Sequence, residues 1–286
     1  MRTYSAVQGR YPTHPRKSRS AFLQIYCAAG RSTHLNSGIF LYVLDLKTGK
    51  PLRSRQIEPD MESPLEMQES ILADLLVGNE KQVHMRGLTF DTTTLRIVDG
   101  GPYANKQRDR TSTGFAHLMS FSGFLDDTWY NASYWLLKNR SNIGHILSFD
   151  AAKVYGIRIY KAYGMKGSHT EDVFIPGKAG YELFCNPISG KDKGWMVRTP
   201  VRAKALLSSK DHLFLAGVPD TVDPTDPLAY LEGRKGAVLA VHSKTDGTKL
   251  AEYELKSPPV FDGFSANEHG LFLATKDGVL TCFRSD

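Results

Sequence analysis

The sequence predicts an all-β protein, a β-propeller of about six four-stranded blades. Three observations lead there: a recurring strand–glycine hairpin–strand unit, a blade-sized spacing between its last copies, and scarce helical periodicity. The unit is clearest near the end, as Leu271-Phe272-Leu273-Ala274, Lys276-Asp277-Gly278, then Val279-Leu280-Thr281-Cys282-Phe283. Earlier copies read Leu213-Phe214-Leu215-Ala216 with Gly236-Ala237-Val238-Leu239-Ala240-Val241, and Ile25-Tyr26-Cys27-Ala28 with Gly38-Ile39-Phe40-Leu41-Tyr42-Val43. A degenerate copy is centred on Gly144-His145-Ile146-Leu147-Ser148-Phe149. Repetition of a supersecondary unit at fixed period marks propellers and solenoids.

The hairpin glycines Gly38, Gly144, Gly236 and Gly278 are 106, 92 and 42 residues apart. The last interval fits one blade of roughly 40–50 residues, and the others fit pairs whose middle member has lost its signature. Residues 73–94, with Val83-His84-Met85-Arg86 and Leu88-Thr89-Phe90-Asp91, and residues 181–207 are the expected hidden members. Two copies run on into a turn and a further strand, at Lys47-Thr48-Gly49-Lys50-Pro51-Leu52 and Thr245-Asp246-Gly247-Thr248-Lys249-Leu250. Residues 64–76 are the best helix candidate, their last residues entering a strand. The ring is either complete or the C-terminal part of a larger, seven- or eight-bladed one.

Apolar strand, Gly-x-Leu-x-Ala strand, Thr-Gly or Asp-Gly turn and Lys-Leu together resemble the quinoprotein-like (PQQ-like) β-propeller repeat. The stretches 124–129, 145–150 and 257–263 resemble bacterial proteins of planctomycete type that carry it. The resemblance covers residues 21–286 and implies a quinone-dependent dehydrogenase or a non-catalytic relative. A dehydrogenase of that family has adjacent cysteines under the cofactor, a stacked tryptophan, and calcium on Asp, Asn and Glu. Here Cys27, Cys185 and Cys282 are scattered, and Asp126-Asp127 is an adjacent acidic pair of the kind that suggests a hard cation. Neither PQQ nor calcium is therefore expected as a cofactor. The sequence also lacks G-x-S-x-G, H-E-x-x-H and a Walker lysine.

Composition fits a single globular domain of 286 residues, 41% hydrophobic and 23% charged. The net charge of +6 does not point to nucleic acid. Residues 1–20 carry five cations and no acid, which reads as a disordered basic tail, while the remainder holds 31 basic and 30 acidic groups. The tail has no continuous apolar stretch for a secretory signal, and no run reaches the ~20 residues of a membrane span. The expectation is a cytoplasmic protein as written, or a periplasmic or exported one if the chain is a truncated form.

Two regions offer recognition chemistry. Residues 115–137 interleave aromatics with Asp126, Asp127, Trp129 and Trp135, which suits a ring-stacking surface or a cover over a blade edge. Val201-Arg202-Ala203-Lys204-Ala205-Leu206 alternates apolar and basic residues. As a first strand it would turn Arg202 and Lys204 to one face, beside Asp262. The functional expectation is a non-catalytic binding or scaffold module for a protein or polysaccharide partner. The alternative is an enzyme, a degenerate quinoprotein dehydrogenase or a carbohydrate-active protein using the propeller mouth.

Overall fold

The computed structural model of the protein describes residues 3–5, 24–30, 38–57, 76–78, 81–85, 88–99, 118–121, 134–137, 140–159, 177, 180–188 and 193–284. The chain divides into two compact units, Met1–Arg140 and Ser141–Asp286. Both are built from antiparallel meanders of the propeller-blade type, and the protein is all-β as expected.

In the first unit one sheet has the order β1 (Thr3–Ser5), β2 (Gln24–Gly30), β3 (Ile39–Asp45), β4 (Pro51–Ile57). A second has the order β5 (Leu76–Gly78), β6 (Gln82–Met85), β7 (Leu88–Asp91), β8 (Ile97–Asp99). A hairpin of β9 (Leu118–Phe121) and β10 (Tyr134–Leu137) follows. Side chains alternate across a strand, and β3 obeys this closely. Ile39, Leu41 and Val43 are fully buried, while Phe40 and Tyr42 stack on each other on the opposite face. The buried row packs with Ala28 and Ile57 against Leu76, Val83, Met85, Leu88, Phe90 and Leu95 of the second sheet. Thr3–Ser5 pairs with Cys27–Ala29, so this piece of the expected tail is a strand. Residues 6–23 and 58–75, with most of the helix candidate, lie outside the described residues.

In the second unit the short β11 (Ile143–Gly144) precedes three blade-type sheets. The first comprises β12 (Ile146–Phe149), β13 (Lys153–Ile159), β14 (Tyr181–Pro187) and β15 (Trp195–Thr199). The second comprises β16 (Val201–Ser208), β17 (His212–Pro219), β18 (Ala237–Ser243) and β19 (Lys249–Leu255), with helix α1 (Ala229–Glu232) between β17 and β18. The third has three strands among the described residues, β20 (Pro259–Asn267), β21 (Gly270–Thr275) and β22 (Leu280–Phe283). One apolar cluster joins the first two sheets through Tyr155, Ile157, Leu183, Leu206, Leu213 and Leu215. Another joins the second and third through Ala205, Ala216, Leu239 and Leu273.

The phase of the repeat differs from the sequence reading at Gly144. Gly38, Gly236 and Gly278 each precede a third strand with positive φ, and the equivalent residue in the β12–β15 sheet is Gly180, φ 74°. Gly144 instead leads into a first strand, and residues 181–207 span the end of one sheet and the start of the next rather than a blade. The described strands within 73–94, Leu76–Gly78, Gln82–Met85 and Leu88–Asp91, do belong to one sheet. Its turn from third to fourth strand repeats the first blade atom for atom. Asp45 Oδ1 accepts from Lys47 N (3.1 Å), Thr48 N (2.8 Å) and Thr48 Oγ1 (2.8 Å). Asp91 Oδ1 accepts from Thr93 N (3.1 Å), Thr94 N (2.7 Å) and Thr94 Oγ1 (2.8 Å). Such side-chain turns hold the backbone without a ladder partner. The next residue is left-handed in both, Gly49 with φ 68° and Leu95 with φ 55°.

Leu95 hides the repeat because it holds a glycine's conformation, and it does so because its side chain is 2% exposed in the core. Two effects oppose each other there. Leu95→Gly relieves about 1 kcal/mol of left-handed strain but gives up a buried leucine worth about 2–5 kcal/mol. The expected outcome is net destabilisation, read as a lower midpoint in urea unfolding. A rise in midpoint would show that strain outweighs packing at this turn.

Candidate functional site

The first strands β12, β16 and β20 of the Ser141–Asp286 unit lie side by side, with Ser148 Oγ 2.9 Å from Ser208 Oγ between the first two. Both β16 and β20 leave their ladders. On β16, Ala203 pairs with Gly217 and Ala205 with Ala216, so Lys204 is an extra residue without a cross-strand partner. The sequence permits this because Gly217 is bare: a Cβ there would stand 2.2 Å from the Arg202 carbonyl oxygen. On β20, pairing runs from Pro259–Thr275 directly to Phe264–Leu273, leaving residues 260–263 outside the ladder. Within that bulge Asp262 takes φ 54°, a left-handed conformation unusual outside glycine. Bulges re-aim side chains and recur beside functional sites.

The bulges put charge at the surface. Lys204 is exposed between buried Ala203 and Ala205, and Asp262 is exposed beside Val260 and Phe261, which are 37% and 51% exposed. Burial pushes the Asp262 carboxyl up to about 6, with no cation acting to lower it. The Lys204 ammonium is pushed down first by burial, then by the nearby charges of Arg202 and Lys276. Side chains that keep contact with solvent while protein atoms crowd them line a concave surface rather than a convex one.

Arg202 has a different part from the expected one. Its Nη2 lies 3.1 Å from Asp220 Oδ1, whose side chain is 3% exposed, and its guanidinium sits 5.5 Å from the Tyr181 ring centroid. Arg202 therefore ties β16 to the end of β17, while Lys204, released by the bulge, is left open. No ion pair joins Asp262 to Lys204 or Arg202 among the described residues. Trp135 lies in the other unit on β10, opposite Ser120 and 8% exposed. Asp126, Asp127 and Trp129 lie outside the described residues. Lys276 and the pair Val260–Phe261 were not singled out from the sequence. Lys276 sits in a hairpin that reads as plain turn chemistry, though Phe261-Asp262-Gly263 after two prolines does mark an interrupted strand.

Among the described residues no three His, Cys, Asp or Glu side chains gather as a metal site. Cys27 and Cys185 are buried and Cys282 exposed, all as free thiols. No described helix is long and apolar enough to cross a membrane.

No protein-family model matches the chain, and no curated protein matches it. Among solved structures, BamB from Moraxella catarrhalis is similar with a TM-score of 0.43 and 11% identity, over 90% of this chain and 68% of that one. Hsv2 from Kluyvelomyces marxianus is similar with a TM-score of 0.42 and 10% identity, over 92% of this chain and 70% of that one. At these scores the fold assignment rests on the sheets described above.

Two outcomes test the electrostatics. Asp262 has a raised native pKa, so the folded state holds its proton more tightly than the unfolded chain. Its stabilising contribution is complete below about pH 4 and is lost as pH rises towards 6. Asp262→Asn, which also tolerates the left-handed backbone, should raise the melting temperature above pH 6, with the gain fading below about pH 4. An unchanged difference across that range would show that Asp262 titrates normally. Separately, Arg202→Met strands the buried Asp220 carboxylate and should cost about 3 kcal/mol in chemical unfolding, and a second change, Asp220→Leu, should restore most of it.

Proposed function

We propose that this protein is a non-catalytic β-propeller module that binds a partner protein through the bulged first strands β16 and β20. One observation carries the reading. Lys204, Val260, Phe261 and Asp262 are held out of their ladders and are exposed to solvent. Breaking two neighbouring ladders costs backbone hydrogen bonds and, at Asp262, backbone strain. Strain of this kind clusters where a surface must present particular groups.

The finer resemblance, to the quinoprotein-like repeat of planctomycete type, is part of this proposal. It is supported by the repeated turns at Asp45 and Asp91 and by the glycines that open the third strands. A dehydrogenase reading asks for adjacent cysteines, and the sequence has none. A fold by itself does not assign an activity.

Photocrosslinking in the native cell tests the binding face. Phe261→benzoylphenylalanine replaces one exposed aromatic by another on β20, and Tyr253→benzoylphenylalanine does so on the outer strand β19, where Tyr253 is 56% exposed. A discrete partner band from position 261 and none from 253 is the expected result. Equal labelling from both positions would defeat the assignment of the face.

A further inference from the structure

We infer that β22 is the contact by which two copies of this chain associate, each β22 pairing antiparallel with β22 of the partner subunit so that two sheets become one. The inference does not depend on the binding face proposed above.

In every four-stranded sheet the third strand lies between two neighbours: β3 between β2 and β4, β7 between β6 and β8, β14 between β13 and β15, β18 between β17 and β19. β22 is also the third strand of its sheet, yet among the described residues it pairs with β21 alone. The residue after the hairpin glycine registers the difference. Ile39 lies opposite Ile57 of β4 and Ala237 opposite Leu255 of β19, and both are buried. Val279, in the same position after Gly278, is 50% exposed, and Leu280 beside it is 66% exposed. The open edge also carries a defined set of hydrogen-bonding groups. The Val279 carbonyl accepts from Thr275 N at 2.9 Å, so Val279 turns its polar backbone groups towards β21. Alternation then turns the N–H and C=O of Leu280 and Cys282 out of the sheet.

What covers this edge follows from its composition. Fourth strands elsewhere carry charge, such as Arg53 on β4, Arg198 on β15 and Glu252 on β19. Charge, proline and bulges are the devices that keep edge strands from pairing with their own kind. β22 reads Leu280-Thr281-Cys282-Phe283, uncharged, and it pairs with β21 without a register shift. It is also self-complementary. A two-fold axis at Thr281 sets Leu280 opposite Cys282 of the partner subunit and Val279 opposite Phe283 of the partner subunit. Both outward-facing residues then exchange N–H···O bonds across the axis. Moving the axis to Cys282 would set Leu280 against Arg284 of the partner subunit, and moving it to Leu280 would set Gly278 against Cys282 of the partner subunit. Apolar side chains meet only when the axis is at Thr281. Each copy covers the edge of the other, so the assembly closes at two.

Analytical ultracentrifugation of the full chain in reducing buffer reads the association. The chain should sediment as a dimer that dissociates on dilution. Leu280→Lys puts a like charge on both edges beside the axis and should leave a monomer under the same conditions. Leu280→Ser gives the milder version should the lysine disturb folding. Leu250→Lys makes the same change at an exposed leucine of the outer strand β19 and should leave the dimer intact. A crosslink reads the register while keeping Leu280. In a Cys282→Ser background, Thr281→Cys should give a disulfide-linked dimer under mild oxidation, because an axis at Thr281 brings the two thiols face to face. Leu250→Cys in that background should not. A chain that stays monomeric at every concentration would overturn the inference. So would a dimer that survives both changes at Leu280, an equal loss of dimer in Leu250→Lys, or crosslinking from position 281 no greater than from position 250.

Discussion

Each four-stranded meander has an apolar face that it cannot cover alone, and this constraint governs the rest of the structure. A sheet with one exposed apolar face is unstable in water unless another layer covers it. Here the cover is the next sheet: Ile39, Leu41 and Val43 meet Met85, Leu88 and Phe90, and Tyr155 and Leu183 meet Leu213 and Leu215. Because the contact is face to face between successive meanders, one repeat unit suffices to build each unit of the protein. The first strands then come to lie beside one another, as β16 and β20 do.

Polar clasps at the rims fix how each sheet sits on the next. In the first unit Arg53 Nη2 donates to the Thr92 carbonyl at 3.1 Å, and the Tyr26 hydroxyl lies 3.2 Å from the same oxygen. In the second, Trp195 Nε1 donates to the equivalent carbonyl, that of Lys244, at 3.2 Å. Lys244 Nζ reaches back to Asp150 Oδ2 at 3.0 Å and lies 5.0 Å from the centre of the Tyr155 ring. Thr92 and Lys244 occupy the same place, one residue into the turn from third to fourth strand. Different side chains thus meet one backbone requirement, a turn carbonyl that would otherwise be half-buried without a donor. Trp195 also explains the sequence of that turn. A Cβ on Gly247 would stand 2.5 Å from the indole, so only glycine fits beneath it.

The outer strands β4 and β19 carry arginine, lysine and glutamate, which discourages pairing with another chain. The bulges of β16 and β20 lie on the first strands instead, where a charge can be presented without exposing a long edge. Each bulge takes only a residue or a few outside the ladder, with a glycine opposite or adjacent to make room.

How much of this was legible in the sequence depends on how local its cause is. The β character, the strand–hairpin units and the glycines at 38, 236 and 278 follow from alternation and from the need for positive φ, both properties of a few neighbouring residues. The hidden blade at 73–94 was readable from its strands. Its turn was not matched to the first, because Leu95 stands where Gly49 and Gly247 stand, held there by burial in a core that involves distant residues. The phase error at Gly144 has the same origin, since a glycine before an apolar run fits a first or a third strand equally until pairing partners are known. Arg202, Lys204 and Asp262 were found as charges on strands. Their separation into a buried tie and open groups was decided by the register slip opposite Gly217 and by Asp220 eighteen residues away. Local pattern determined which residues form strands and turns; only tertiary pairing decided which charges are spent inside the fold and which remain at its surface.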